Sequence, residues 1–196
     1  MQAYEILKSE HQVILQVLDC LEAMSRAAIQ NGKLDQESAE AALDFFANFA
    51  DGCHHHKEEE HLFPMMESRG YMRDGGPTGV MLYEHELGRS HVRAMRQNLP
   101  NAAGGDAEAV AEFVAHARQY VQLLRDHIHK EDHCLFPMAE QALGAEASEE
   151  LLARFDKVEE EEEGKHEKYL GIANQLAEKY GIHKAAVTHE GGCGGH

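Results

Sequence analysis

Two short segments of the chain concentrate imidazole and carboxylate at the same offsets. Residues 53–64 read CHHHKEEEHLFP and residues 126–137 read DHIHKEDHCLFP. Aligned on their LFP ends, His54 falls on His127, Lys57 on Lys130 and Glu58 on Glu131. His54 and Glu58, like His127 and Glu131, stand one helical turn apart, so each pair shares a helix face. Their neighbours do not repeat the pattern. His55 aligns with Ile128, and Glu59 aligns with Asp132 without a matching histidine. His56 and His129 are followed four residues on by Glu60 in one copy and His133 in the other. His-x-x-x-Glu thus occurs twice in one register only. Imidazole nitrogen beside carboxylate oxygen is a donor set for a first-row transition metal.

The surrounding periodicity predicts the elements that carry these residues. Leu7, Ile14, Leu18 and Leu21 mark a first helix over about 3–29. A second spans about 36–66, a third about 78–99 after a Gly-rich turn (68–79), and a fourth about 107–142, with Asp106 placed to cap it. Ser148 can cap a fifth helix reaching Tyr180. Short connections between long amphipathic helices predict an all-α, up-down-up-down four-helix bundle with an additional C-terminal helix. Residues 1–180 form this bundle, and 181–196 read as a flexible Gly/His-rich tail in which His189, Cys193 and His196 could capture metal.

The His-Glu pairs lie on apolar stripes. Phe46, Ala50, His54, Glu58 and Leu62 share one face, and Tyr120, Leu124, His127, Glu131 and Leu135 share another. A carboxylate facing a core is costly unless it is paired or bound to metal. His11 and His85 continue stripes on the first and third helices, and Tyr120 reads as core. Each of four helices sends one histidine inward, and two also send a glutamate. Two carboxylates between two pairs of histidines suggest a dinuclear site. Iron is the leading expectation, and the donors also admit manganese or zinc.

These motifs resemble the hemerythrin-like, HHE cation-binding family. The likeness runs through residues 1–180, in Glu10–His11, HHHKEE before LFP, EHELGR and HIHKED before LFP. It implies a non-haem di-iron centre held by His11, His54, Glu58, His85, His127 and Glu131, with both glutamates bridging. The oxygen-carrying members place a second histidine four residues after the first on the third helix, where this chain has Arg89. His166, on a stripe with Tyr169, Ala173 and Leu176, is the residue expected to compensate, as a ligand or as a partner of one; the alternative is a surface histidine beside the Glu159–Glu163 run. A ferritin-like site needs Glu-x-x-His twice. Glu58–His61 and Glu163–His166 fit formally, but Cys134 aligns with His61 and the first helix shows no inward glutamate.

Composition narrows the function. A net charge of −17 argues against nucleic acid or an anionic membrane surface as partner. The four cysteines form no C-x-x-C pair, the N-terminus lacks a signal-peptide pattern, and no stretch is apolar enough to span a bilayer, which together predict a cytoplasmic protein. The residues predict a di-iron binding protein that handles or senses dioxygen, nitric oxide, peroxide or iron; no protein partner is indicated. The alternatives are an oxidoreductase turning over peroxide or nitric oxide, and a purely structural bundle with a polar core.

Overall fold

The computed structural model describes residues 2–161 and 164–185. Helix α1 spans Ala3–Asn31 and stops at Gly32, whose φ of 68° only glycine adopts readily. Asp35 caps the next helix by accepting the Ser38 N–H at 3.3 Å. That helix, α2 (36–68), is α-helical over Gln36–Phe45, π-helical over Phe46–His55 and Glu58–Leu62, and α-helical again over Phe63–Ser68. Helix α3 spans Pro77–Ala103. As the sequence predicts, Asp106 caps α4 (107–143), accepting the Ala109 N–H at 2.8 Å. α4 is α-helical over Ala107–Lys130 and π-helical over Glu131–Leu135. Among the described residues there is no strand.

The C-terminal part differs from expectation. Gly144, at φ 70° and ψ −178°, breaks the chain, and α5 (145–161) follows at once, so Ser148 lies inside a helix instead of capping one. The single helix expected to reach Tyr180 is two. Gly164, at φ 80°, precedes α6 (Lys165–Tyr180), which packs on α1 and α2. Most of the expected tail, including His189, Cys193 and His196, lies outside the described residues; Ala185 N–H donates to Gln16 Oε1 on α1 at 2.5 Å.

The core is divided. One apolar cluster gathers Ile14, Leu18, Phe46, Phe49, Phe113 and Leu124, and the other gathers Leu7, Leu62, Phe63, Met81, Leu135 and Phe136. On each of α1 to α4 the chain passes from one cluster to the other through a polar stretch: Glu10–His11, His54–Glu58, Glu84–His85 and His127–Glu131. A polar layer therefore lies between two apolar ones. Burial of the flanking residues, at about 25 cal/mol per Å² of apolar surface, is what holds that layer in place.

The LFP repeats shape this layer. Phe63 N–H bonds the Glu58 carbonyl and Phe136 N–H bonds the Glu131 carbonyl, each five residues back. Pro64 and Pro137 follow directly. Proline has no N–H and its ring crowds the carbonyl four residues earlier, so the helical ladder opens on its N-terminal side. Such π turns gather at functional sites. No described helix is long and apolar enough to cross a membrane.

Candidate metal centre

Glu58 and Glu131 face each other in the polar layer, both wholly buried. Glu58 Oε1 lies 3.6 Å from His54 Nε2, and its Oε2 lies 3.5 Å from His85 Nε2. Glu131 Oε2 lies 3.2 Å from His11 Nε2, and its Oε1 lies 3.2 Å from His127 Nε2. Each carboxylate spans two histidine groups. His11 and His54 gather with both glutamates on one side, and His55, His85 and His127 gather on the other.

A carboxylate fixes every one of these rings from behind. His11 Nδ1 donates to Asp132 at 2.8 Å, His54 to Glu10 at 2.8 Å, and His55 meets Asp51 at 3.3 Å. His85 donates to Glu59 at 2.7 Å and His127 to Glu84 at 2.8 Å. With Nδ1 so engaged, each Nε2 is turned to the interior, the arrangement that second carboxylates impose on metal-binding histidines.

These partners follow an approximate two-fold repeat. Glu10–His11 on α1 matches Glu84–His85 on α3. Glu10 holds His54 of α2, and Glu84 holds His127 of α4. Lys57 donates to Glu10 as Lys130 donates to Glu84. Glu59, after Glu58, holds His85, and Asp132, after Glu131, holds His11. The Glu59/Asp132 match, whose i−4 residues are His55 in one copy and Ile128 in the other, thus reflects ring orientation across the bundle.

The layer's polar atoms fit a cation. His11 Nε2 and all four oxygens of Glu58 and Glu131 are buried without a hydrogen-bond partner among the described residues. Each such group costs on the order of 1–3 kcal/mol, more when charged. His85 Nε2 and His127 Nε2 stand 2.9 Å apart, a distance that two lone pairs tolerate only around a shared proton or cation. Burial, then the charge of Glu131, pushes the Glu58 carboxyl well above its usual range. Glu131 goes the other way: His127 and His11 outweigh burial and hold it ionised. Burial and neighbouring imidazoles depress His54 to about 4 and His85 to about 3, so both are neutral and ready to bind. Burial opposes charge on His127 too, but Glu131 and Glu84 raise it to about 9. The donor set of imidazole and carboxylate fits the binding of a first-row transition metal.

The profile of the hemerythrin HHE cation-binding domain matches residues 2–139. The chain belongs to this family. It is 26% identical over 161 residues to uncharacterized proteins of Mycobacterium bovis and Mycobacterium tuberculosis, an alignment covering 80% of this chain and 61% of theirs. The chain thus spans less than two thirds of the length of these relatives. No solved structure matches significantly.

Within this hemerythrin domain the structure brings together His11, His54, Glu58, His85, His127 and Glu131, and adds His55, which the sequence reading set aside. The His55 ring stacks on His85, with centroids 3.8 Å apart. The π stretch Phe46–His55 carries more residues per turn than an α-helix, which narrows the angle between His54 and His55, and both rings are buried. The aligned Ile128 is buried as well, which a test of burial at that position would have exposed.

His166 stands apart. Its ring lies against Phe49 at 5.3 Å, its Nδ1 is 3.6 Å from Glu159 Oε2, and it groups with Glu10 and Glu159. Glu10 is also the inward glutamate that the reading of the first helix missed. It is 2% exposed and is engaged by His54 and by Lys57, which in turn donates to Glu159.

Proposed function

We propose that this hemerythrin-like domain is a non-haem di-iron binding protein whose metal pair takes a small ligand: dioxygen, nitric oxide or peroxide. One observation carries the reading: two fully buried carboxylates, each with one oxygen toward either histidine group and none of their oxygens hydrogen-bonded. His11 and His54 would hold one ion, His55, His85 and His127 the other, with Glu58 and Glu131 shared. When bound, the metals supply Lewis-acid and redox chemistry to the ligand. The chain's residues keep the rings oriented, and the apolar layers above and below exclude bulk water. The His11–His54 side has one imidazole fewer, so an ion held there would have a donor position left for an exogenous ligand. Manganese and zinc satisfy the same donors, and iron is favoured by the redox chemistry of the proposed ligands.

Anaerobic purification with metal counting tests this reading, followed by absorption spectra on adding dioxygen, peroxide and nitric oxide. The expected result is iron bound in pairs, lost in His54→Ala, with spectra that respond to at least one ligand. Trace metal only, unchanged in His54→Ala, overturns it. Steady-state turnover of peroxide or nitric oxide above that of free iron would instead identify the oxidoreductase.

A further inference from the structure

The two-fold frame of the polar layer has a cluster of departures, and they lie together. Aligning α1 with α3 on Glu10–His11 and Glu84–His85 sets Gly88 opposite Ile14, Arg89 opposite Leu15, Arg93 opposite Asp19 and Arg96 opposite Glu22. Aligning α2 with α4 sets Asp51 opposite Leu124 and His55 opposite Ile128. These six residues (Gly88, Arg89, Arg93, Arg96, Asp51 and His55) line one cavity of about 200 Å³ between α2 and α3. Where one half of the molecule carries acids and aliphatic bulk, the other carries a void walled by guanidinium groups.

The charges in that wall are unequal. Arg89 is committed: it donates to Asp51 at 2.8 Å and to Glu59 at 2.6 Å. Arg93 bonds Glu86, but both are more than half exposed, so water screens the pair and it holds little energy. Arg96 donates to the neutral Leu43 carbonyl at 3.0 Å and meets no carboxylate among the described residues. A chain of net charge −17 therefore presents available positive charge at this cavity. Its remaining wall is apolar, from Phe46 and Val92. Tyr120 also lines it, a residue 2% exposed whose hydroxyl has no hydrogen-bond partner among the described residues. His55 and His85 belong to the same wall, on the side of the polar layer that is richer in imidazole.

We propose that this cavity binds a small carboxylate with a short apolar tail, its head group on Arg93, Arg96 and the Tyr120 hydroxyl and its tail against Phe46 and Val92. A guanidinium matches the two oxygens of a carboxylate, and a neutral diatomic ligand uses none of this charge. The site depends on the cavity and its arginines, so it stands whether or not the polar layer holds iron.

Titration calorimetry on the full chain, metal-loaded and metal-stripped, tests it with n-butyrate, n-butanol and formate as probes. Butyrate is expected to bind saturably in both forms. Arg93→Gln/Arg96→Gln weakens it by about tenfold or more, as does replacing butyrate by butanol. Formate, lacking the tail, binds more weakly than butyrate. Tyr120→Phe gives a smaller loss and checks the hydroxyl. Circular dichroism and metal content, unchanged in the double glutamine variant, separate loss of the site from loss of the fold. Butyrate binding that needs metal and ignores the arginines overturns the proposal, as does butanol binding equally well or no saturable binding at all. A failure of the di-iron reading appears separately, as absence of metal.

Discussion

Arg89 and His55 share one oxygen of Asp51. Arg89 Nε donates to Asp51 Oδ1 at 2.8 Å, and the same oxygen faces His55 Nδ1 at 3.3 Å. Arg89 also reaches Glu59, the carboxylate behind His85. The residue that stands where oxygen-carrying relatives have a histidine thus anchors the carboxylates behind two rings, and His55 adds an imidazole from the neighbouring helix.

Removing that clamp should loosen one side of the layer. Arg89→Met frees Asp51 and Glu59 and leaves the partners of His11 and His54 untouched. Loss of such an orienting contact typically costs about 10–100-fold in metal affinity. The expected outcome, in chelator competition, is two unequal classes of bound metal where the parent shows closer affinities. Arg89→Lys recovers only part, because an ammonium lacks the fork that reaches both carboxylates. An equal fall for both ions would contradict this role.

His55 and His166 make a sharper contrast. His55 lies in the polar layer against His85, whereas His166 groups with Glu10 and Glu159. His55→Ala is expected to retain roughly half of the metal, and His166→Ala all of it. Elemental analysis of the purified variants decides the matter. Metal loss in His166→Ala equal to that in His55→Ala would restore His166 to the site.

Much of this was legible in the chain. The double LFP register selected His54, Glu58, His127 and Glu131, and the stripes added His11 and His85. What escaped was local geometry. A period of 3.6 residues sets His55 about 100° from His54, at the margin of the apolar stripe, and the π stretch Phe46–His55 narrows that angle. The carboxylates behind the rings were equally hidden. Glu10, Glu59, Glu84 and Asp132 each reach a histidine on a different helix, so no spacing along one helix reports them. Gly164 divides what looks like one helix because a single residue at φ 80° leaves little trace in a hydrophobic pattern.

Metal affinity should rise with pH across neutrality. In the metal-free protein, burial works against charge on His127, but Glu131 and Glu84 raise it from 6.5 to about 9. Its proton therefore stabilises the metal-free fold fully below pH 6.5, and that stabilisation fades as pH climbs toward 9. Metal needs His127 neutral, and it needs Glu58, whose carboxyl burial pushes upward, ionised. His54 and His85, at about 4 and about 3, are neutral throughout this range and add no slope. Chelator competition at several pH values should show log affinity rising by about one unit per pH unit for each proton released. A flat profile would mean that His127 is not displaced from its proton by metal.

Lys57 and Lys130 are equivalent in the repeat but not in burial, and that difference should be measurable. Lys57 is wholly buried and is held by Glu10, itself 2% exposed, and by Glu159. Lys130 is 39% exposed beside Glu84. Burial opposes charge on the Lys57 ammonium, yet Glu10 and Glu159 raise its pKa, and the ammonium and the His54 bond keep Glu10 ionised at about 2. Lys57→Met strands the Glu10 carboxylate in the interior, still bonded to His54 but without the ammonium that balances its charge. Breaking a buried pair in this way costs about 3–5 kcal/mol. Lys130→Met breaks a pair that water screens, with an expected loss below about 1 kcal/mol. Urea unfolding of the metal-free variants should therefore separate the two lysines clearly. Adding Glu10→Gln to Lys57→Met should recover part of the loss, because the charge left stranded is then gone. Equal destabilisation by the two lysine substitutions would show that the Lys57 charge is not shielded from water as its burial requires.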